Sequence, residues 1–328
     1  MSSAEYILRR AAISVVLILA VATFLFFVFR LMPGDYVTFL LGEGASPETA
    51  ERLRQKWGLN EPLHVQYVQY MVNLFTGDAG SSKVTGQPVV QFVLPRLANS
   101  LILVLPAILT AFVLGSLYGA VLGTQEDSLL ERYGIFPPTL IGTTPDFFIG
   151  IVVLFIFSAW LNLFPPSGMV SPGTRELATS HWDLYLTTDF LYHYTLPFLA
   201  VTLKYMYYPA LVMRGSVVEV SGQEFSVYHK MVGLGALTRF KHIMQHASLP
   251  VVTLLPAVTA TAISGLVLIE VVFNWPGIGL LVYDSILTRD MAVIQFVFLL
   301  IAIWIILGNF IVDIVYTLID PRITYEEG

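Results

Sequence analysis

The chain has 328 residues, 56% of them hydrophobic and 12% charged, with a formal net charge of −6 and no cysteine. Soluble domains carry about 25% charged residues, so this chain lacks the charge to coat a water-facing surface and lipid must be the solvent for much of it. A disulfide framework and a thiolate metal site are excluded, and the absence of any basic run argues against a nucleic-acid partner.

Crossing a bilayer takes about 20 mostly apolar residues. Six stretches qualify, near 11–30, 99–123, 135–161, 193–213, 251–273 and 293–319. A lone segment in lipid must satisfy its own backbone hydrogen bonds, so each is expected to be helical. The expected class is therefore an all-α integral membrane protein with about six transmembrane helices. The first run, Ala11 to Phe29, follows Arg9 and Arg10. It is too long for a signal-peptide core and lacks a small-residue cleavage site, so it is read as a retained span.

The segment 31–98 is long but patterned, and it is expected to fold outside the membrane. Ser46-Pro47 has the form of an N-cap followed by proline at the first helical position. Ala50, Leu53 and Trp57 share a helical face, and Gly58 is a stop. Pro62 opens a second pattern with an apolar stripe of Val65, Val68, Val72 and Phe75, ended by Gly77-Asp78. Such stripes fit a structural lid on the outer membrane face or bundle, or a contact surface for an external binding protein.

Pro145 and Pro209 fall within or near spans three and four and are expected to kink them. Between those spans lies a second outer loop, 162–192, with a Pro165-Pro166-Ser167-Gly168 turn. Trp182, Tyr185, Tyr192 and Tyr194 are expected to anchor in the headgroup layer. Lys204 lies near the middle of span four, where a charge costs about 2.5–3.5 kcal/mol on insertion scales. Two readings stand: it lines a translocation path, or it forms a structural ion pair with Asp313 or Glu270.

The longest inside loop, 214–250, reads as helix, glycine turn, helix. Phe225, Tyr228 and Val232 give the first helix one apolar side, and Gly233-Leu234-Gly235 interrupts it. Leu237, Phe240, Met244 and Ala247 form the apolar face of the second helix. A folded bracket between two spans can transmit force from a partner below to the helices above. His242 and His246 are one turn apart, but without acidic neighbours they read as a solvated helix face rather than a metal site. Glu270 lies near the outer end of span five. Asn309 and Asp313 share a face of span six, as interhelical glue or as pore lining.

Lys and Arg in the short loops place both termini in the cytoplasm: Arg132, Arg214, Arg239 and Lys241 lie inside, against Arg175 and Arg289 outside. Arg30, Lys83 and Arg96 of the long outer segment run against that trend. No phosphate loop is present, since no Lys-Ser/Thr follows Gly233-Leu234-Gly235. The chain therefore cannot hydrolyse ATP alone, and it is read as no enzyme, with no cofactor of its own.

Met213-Arg214-Gly215-Ser216 through Val220, then Glu224 to Pro250, resembles the EAA loop of ABC importer permeases. Gly233 matches that motif's glycine, and Glu224-Phe225 its acidic-aromatic opening, while His229-Lys230-Met231-Val232 departs from the usual small-residue run. Further similarity covers nearly the whole chain: Tyr6 to Arg10, Leu31-Met32-Pro33-Gly34-Asp35, Gly58-Leu59 with Pro62-Leu63, and Gly77-Asp78 with Thr85-Gly86-Gln87-Pro88. It continues through Glu270 to Phe273, Trp275-Pro276-Gly277-Ile278-Gly279, Arg289-Asp290, Asn309, Asp313, Tyr316 and Asp320-Pro321-Arg322. These motifs resemble the first-type, B-like membrane subunit of oligopeptide/dipeptide (peptide/nickel) importers.

The resemblance implies a type I ABC importer permease fold in a cell membrane, forming half of a heterodimeric path for peptides or a similar small solute. It implies a second homologous permease, two ATPase subunits that bind ATP and Mg, and an extracellular substrate-binding protein. On this reading the ATPase-coupling residues are Glu224, Phe225, Tyr228, Val232, Gly233 and Gly235. Lys204, Glu270, Asn309 and Asp313 are candidates for the path, and Trp275, Pro276 and Gly277 for the outer gate. The expected organisation is 1–30 (N-terminal segment and first span), 31–98 (outer helical loop), 99–322 (five-helix core containing 214–250) and 323–328 (tail). A different class, an ion-gradient-driven permease or channel with Lys204 and Asp313 as a proton relay, lacks any need for a folded 214–250 loop.

Overall fold

A computed structural model describes residues 3–32, 37, 46–56, 58–125, 128–178, 180 and 182–319. Pro33, Gly34, Asp35, Trp57, Asp320, Pro321, Arg322 and the tail 323–328 lie outside the described residues, as do the side chains of Leu53 and Tyr316. The described residues are helical throughout, with a lone antiparallel bridge between Ser81 and Pro88. In chain order the helices are α1 Ser3–Leu31, α2 Pro47–Lys56, α3 Leu63–Phe75, α4 Val89–Gly123, α5 Leu129–Gly134, α6 Phe136–Thr143 and α7 Asp146–Leu154. After a π-helical turn, Phe155–Trp160, come α8 Pro172–Leu177, a 3₁₀ turn Asp183–Leu186, α9 Thr188–Tyr205, α10 Tyr207–Ser221, α11 Glu224–Met231, α12 Ala236–Ala247, α13 Leu249–Val272, α14 Ile278–Leu287 and α15 Met291–Ile319.

Among the described residues, five segments are long and apolar enough to cross a membrane: Glu5–Leu31, Val89–Gly123, Thr188–Ser221, Leu249–Val272 and Met291–Ile311. A sixth crossing is available only as a broken one. Leu129–Thr143 and Asp146–Trp160 meet at a bend of 107°. The single span expected over 135–161 is therefore two helices set nearly at right angles. The cause is local: Thr144, just before Pro145, takes an extended ψ of 143°, because the proline ring disfavours the α region for the residue preceding it. Pro209 has a milder effect. The chain makes a turn at Met206 between α9 and α10, where the proline leaves the carbonyl one turn back without its helical donor. α10 runs on to Ser221, so the first residues of the 214–250 stretch belong to the membrane-length segment Thr188–Ser221.

The chain divides into two compact units, residues 1–97 with 281–328 and residues 98–280. In the first unit α1 lies along α15, with α3 against α1. Ala22, Leu25 and Leu299 form the centre of that seam, with Tyr70, Met71 and Leu74 of α3 packed on it. The face of α3 that turns inward is thus Gln66, Tyr67, Tyr70, Met71 and Leu74, and the expected stripe is not the packed one. Val68, Val72 and Phe75 are exposed, Phe75 at 75%. Tyr67 and Tyr70 each place a ring 5.4 Å from Phe26, and aromatic pairs contribute more than the valine stripe offers. The Ser46 hydroxyl accepts from Thr49 N–H at 3.2 Å, which caps α2 as expected.

In the second unit the core runs through α4, α7, α9, α10 and α13, with Leu103, Ile108, Leu196, Tyr205, Met213 and Ile269 fully enclosed. One packing device was not read from the sequence. Gly115, Gly119 and Gly123 repeat every fourth residue on α4, and a Cβ at each would run into the backbone carbonyls of Met206, Ala210 and Arg214 respectively. Small residues at this spacing let two helices approach to backbone contact, where dispersion replaces the hydrophobic drive that lipid cannot supply.

Candidate functional site

Three groups of polar residues in the second unit hold the positions singled out by sequence. The first is the elbow α11–α12. α11 ends as the chain turns at Gly233, whose φ is +71°, and the Leu234 N–H reaches back to the His229 carbonyl at 3.1 Å. This C-terminal cap needs a left-handed residue, which glycine supplies without a Cβ penalty. Gly235 precedes α12 in an extended conformation. Phe225 points inward, its ring 4.8 Å from His246 and 5.6 Å from His229, and with Phe240 and Met244 it packs on the core. Tyr228 and Val232 do not share its surroundings. They are exposed together with Met231 (79%) and Leu237 (82%). Val232 follows the last helical residue, so helical spacing no longer sets its direction. Leu237 is likewise outside the buried face that the sequence assigned to it, and Glu224 is exposed.

The second group explains the buried lysine. Lys204 on α9 donates to the carbonyls of Gly142 (2.8 Å) and Thr144, the open C-terminal end of α6. It also pairs with Asp146 Oδ1 at 3.2 Å, in the first turn of α7. Tyr205 donates to the other carboxylate oxygen at 2.8 Å. The broken crossing is therefore closed at both ends: a cation meets the negative end of α6 and a carboxylate the positive end of α7. The partner of Lys204 is Asp146, correcting the expectation of Asp313 or Glu270. Sequence reading passed over Asp146, although its place directly after Pro145 marks a helix start.

The third group surrounds Glu270, which is fully buried on α13. Ser100 of α4 donates to Oε1 at 2.5 Å, and the Leu280 N–H donates to Oε2 at 3.0 Å. The Ser100 hydroxyl in turn accepts from Ile278 N–H at 2.8 Å. Asn99 donates to the Pro276 carbonyl at 2.7 Å, while its own carbonyl accepts from the Trp275 indole at 3.1 Å. Trp275 has no exposed surface and sits among Phe190 and Tyr194. Gly277 passes so close to the carboxylate that a Cβ there would overlap it. Glu270 does not reach toward solvent. It fastens the Trp275-Pro276-Gly277 turn to α4. Tyr185 donates to the Asn99 side-chain oxygen at 2.5 Å, and burial pushes its phenol pKa up to about 12. Tyr194 donates to the Ile102 carbonyl at 3.0 Å. Of the four aromatics expected to anchor in headgroups, Tyr185 and Tyr194 are instead part of this packing; Trp182 and Tyr192 are exposed.

Other expected positions lie elsewhere. In the first unit Asp313 pairs with Arg10 of α1 at 3.2 Å, while Asn309, one turn away, is exposed. Asp290 is buried and accepts from the Ser82 hydroxyl and, at 3.2 Å, from Lys83 N–H. That bond brings the Arg289-Asp290 and Gly77–Pro88 motifs together. In the second unit Arg214 pairs with Glu131 of α5, its Nε donating at 2.9 Å. Glu131 was overlooked, but Ser128-x-x-Glu131 is a capping-box pattern, and the Glu131 N–H does bond the Ser128 hydroxyl at 3.1 Å. Among the described residues no group of three or more His, Asp or Glu converges in a way that could hold a metal.

Comparison with known proteins bears on what these groups serve. Residues 127–325 match the family described as "Binding-protein-dependent transport system inner membrane component", and residues 3–90 match its N-terminal component family. The chain is 30% identical over 325 residues to the oligopeptide transport system permease protein AppB of Bacillus subtilis, covering 98% of this chain and 100% of that one. It is 32% identical over 322 residues to the probable peptide ABC transporter permease protein y4tP of Sinorhizobium fredii, and 32% over 333 residues to the dipeptide transport system permease protein DppB of Alkalihalophilus pseudofirmus. Each of these covers 98% of this chain and 99% of the relative.

Proposed function

Since the chain belongs to the family of binding-protein-dependent transport system inner membrane components, we propose that it is the membrane subunit of an ATP-driven importer of peptides, forming half of the translocation path. The transported class follows from full-length similarity to oligopeptide, dipeptide and other peptide permeases. A second permease of similar fold supplies the other half, two ATPase subunits bind ATP and Mg, and an external binding protein delivers the solute. Both termini and the α11–α12 elbow face the cytoplasm, and the segment 31–98 faces outside.

The observation that carries the mechanism is the elbow. Its inner side is tied to the core through Phe225, and its tip leaves Tyr228, Met231, Val232 and Leu237 exposed around a glycine that fixes the turn. In this reading the exposed side docks on an ATPase subunit. Closure of the ATPase pair on ATP then moves α10 and α13, which flank the elbow. ATP binding favours the closed pair, and the gate follows because an equilibrium shifts only through differential binding to its two states. Trp275, Pro276 and Gly277, fastened by Glu270, serve the outer gate, and Lys204 shapes the path by holding the α6–α7 break.

The test is purification of tagged chain with its operon partners. Wild type brings down the ATPase subunits and couples hydrolysis to uptake. Gly233→Val and Phe225→Asp leave assembly of the membrane subunits intact but uncouple hydrolysis from transport. Full coupling in both variants sinks the mechanism.

A further inference from the structure

α3, Leu63–Phe75, contains no Asp, Glu, Lys or Arg, whereas the shorter α2 holds Glu48, Glu51, Arg52, Arg54 and Lys56. α3 presents three sides. Tyr67, Tyr70, Met71 and Leu74 turn to the α1–α15 seam. Gln66, Gln69 and Asn73 line a cavity shared with Asp78 and Lys83 of the loop that follows. Val65, Val68, Val72 and Phe75 make up the third side, on which Val68 (57%), Val72 (54%) and Phe75 are exposed. A helix apolar on two of its three sides and free of charge is poorly suited to water.

The height of α3 is fixed by what it touches. α1 and α15 run antiparallel, with Phe29 beside Phe298 and Arg10 paired with Asp313 at 3.2 Å, so Leu31 and Met291 mark the same end of the pair. Counted from that end, Leu25 lies about 9 Å in, and Thr23 and Leu299 about 12 Å in. Leu25 and Leu299 belong to the cluster on which Tyr70, Met71 and Leu74 pack. The Tyr67 hydroxyl donates at 2.9 Å to that of Thr23, whose own proton goes to the Leu19 carbonyl. The 27-residue span Glu5–Leu31 is about 40 Å long against a hydrocarbon core of about 30 Å, so it extends only about 5 Å past each face. The contacts of α3 thus fall inside the hydrocarbon. Phe27, exposed on α1, stacks on Tyr67 at 5.9 Å, so the lipid-facing surface of the span continues onto α3.

We propose that α3 is an interfacial membrane helix whose Val65, Val68, Val72 and Phe75 side sits among phospholipid acyl chains, with Gln66, Gln69 and Asn73 turned to water. Interfacial helices bury an apolar face about 5–10 Å into the boundary between headgroups and chains, which is the depth reached here. α3 then moors the segment 31–98 at a set height beside α1. In the orientation proposed above that leaflet is the outer one; the embedding itself rests only on α1 and α15 being spans, not on the solute carried.

The chain has no cysteine, so single spin labels can be placed through Val68→Cys, Val72→Cys and Phe75→Cys, with Gln69→Cys and Glu51→Cys for comparison. The complete transporter, its other subunits cysteine-free, is reconstituted in phosphatidylethanolamine–phosphatidylglycerol vesicles. Collision rates are measured with oxygen, which concentrates in acyl chains, and with a nickel chelate, which stays in water. At the first three positions oxygen collisions are expected to exceed nickel collisions about threefold or more, a surplus set by depth, and at Gln69 and Glu51 the order reverses. Chelate supplied to one side of the vesicle reads the orientation separately, so an inverted chain is distinguished from one whose α3 is not embedded. Val68 and Val72 carry the result independently of Phe75. Nickel collisions in excess at both overturn the proposal. So do low collision rates with both reagents, which assign the stripe to the second permease, and nickel collisions lost only when the binding protein is added, which assign it to that protein.

Discussion

Replacing Lys204 with methionine keeps the aliphatic stem and deletes three contacts at once. Asp146 loses its cation, and the carbonyls of Gly142 and Thr144 lose their donor. Removing one partner of a buried pair costs about 3–5 kcal/mol. The low end applies, because Tyr205 still donates to Asp146 and the Asp146 side chain is 19% exposed. About 3 kcal/mol is expected, and at roughly 2–4 °C per kcal/mol for a unit of this size the complex should melt some 6–12 °C lower. The assay is thermal unfolding of the purified complex, run beside uptake in vesicles. Adding Asp146→Asn removes the stranded charge, so the double variant should regain about half of the loss, as coupled neighbours do. A Lys204→Met protein that melts with wild type, or a double variant whose losses simply add, refutes the clasp. Melting regained without uptake would instead assign Lys204 to the solute path.

Four other outcomes are expected. Gly277→Ala drives a methyl group into the Glu270 carboxylate and should lower stability by about 1–3 kcal/mol; Glu270→Ala in the same chain relieves part of it, read by melting temperature. Asp290→Asn weakens the bond from Ser82, and limited proteolysis within 78–88 should quicken while the membrane helices stay protected. Exchanging charges, Arg214→Glu with Glu131→Arg, should restore assembly that either change alone impairs, scored by recovery of intact complex. Tyr185 has a folded pKa raised to about 12 against an ordinary 10, so its bond to Asn99 stabilises below pH 10 and is lost as pH climbs toward 12; the melting difference between wild type and Tyr185→Phe should shrink across that window.

Much of this architecture was legible because lipid imposes one rule on every crossing. Apolar runs of sufficient length marked all the long helices, and Gly233 marked the elbow's turn. The misses share a cause. A proline names a break but not its angle, so 135–161 reads as one span although Thr144 and Pro145 turn it through 107°. A helical wheel names a stripe but not its neighbour, so the valines of α3 look like the packing face until Phe26 of α1 selects Tyr67 and Tyr70. Partners distant in sequence are not encoded locally at all: Lys204 with Asp146, Ser100 with Glu270 and Ser82 with Asp290 are separated by 58, 170 and 208 residues. Asp146 and Glu131 did carry local helix-start signals, which a search confined to charges at mid-span overlooks.

The buried charges of the second unit share a property that bears on the energy source. Lys204 satisfies open carbonyls where α6 ends, and Asp146, in the first turn of α7, is its counter-charge. Glu270 holds backbone N–H and hydroxyl donors where α13 gives way to the Trp275-Pro276-Gly277 turn. In lipid an unsatisfied backbone group costs several kcal/mol, so a charge placed at a helix break offsets a cost that is already there. A proton relay has the opposite requirement, for its carriers must change charge during each cycle. Protonating Asp146 would strip Lys204 of its counter-charge, protonating Glu270 would loosen its hold on the Leu280 N–H, and Asp313, the other proposed relay member, is already engaged with Arg10 in the first unit. These charges are thus suited to keep broken helices rigid, and rigid helices are what an elbow at Gly233 needs if movement applied at its exposed tip is to arrive at the Trp275 turn undiminished.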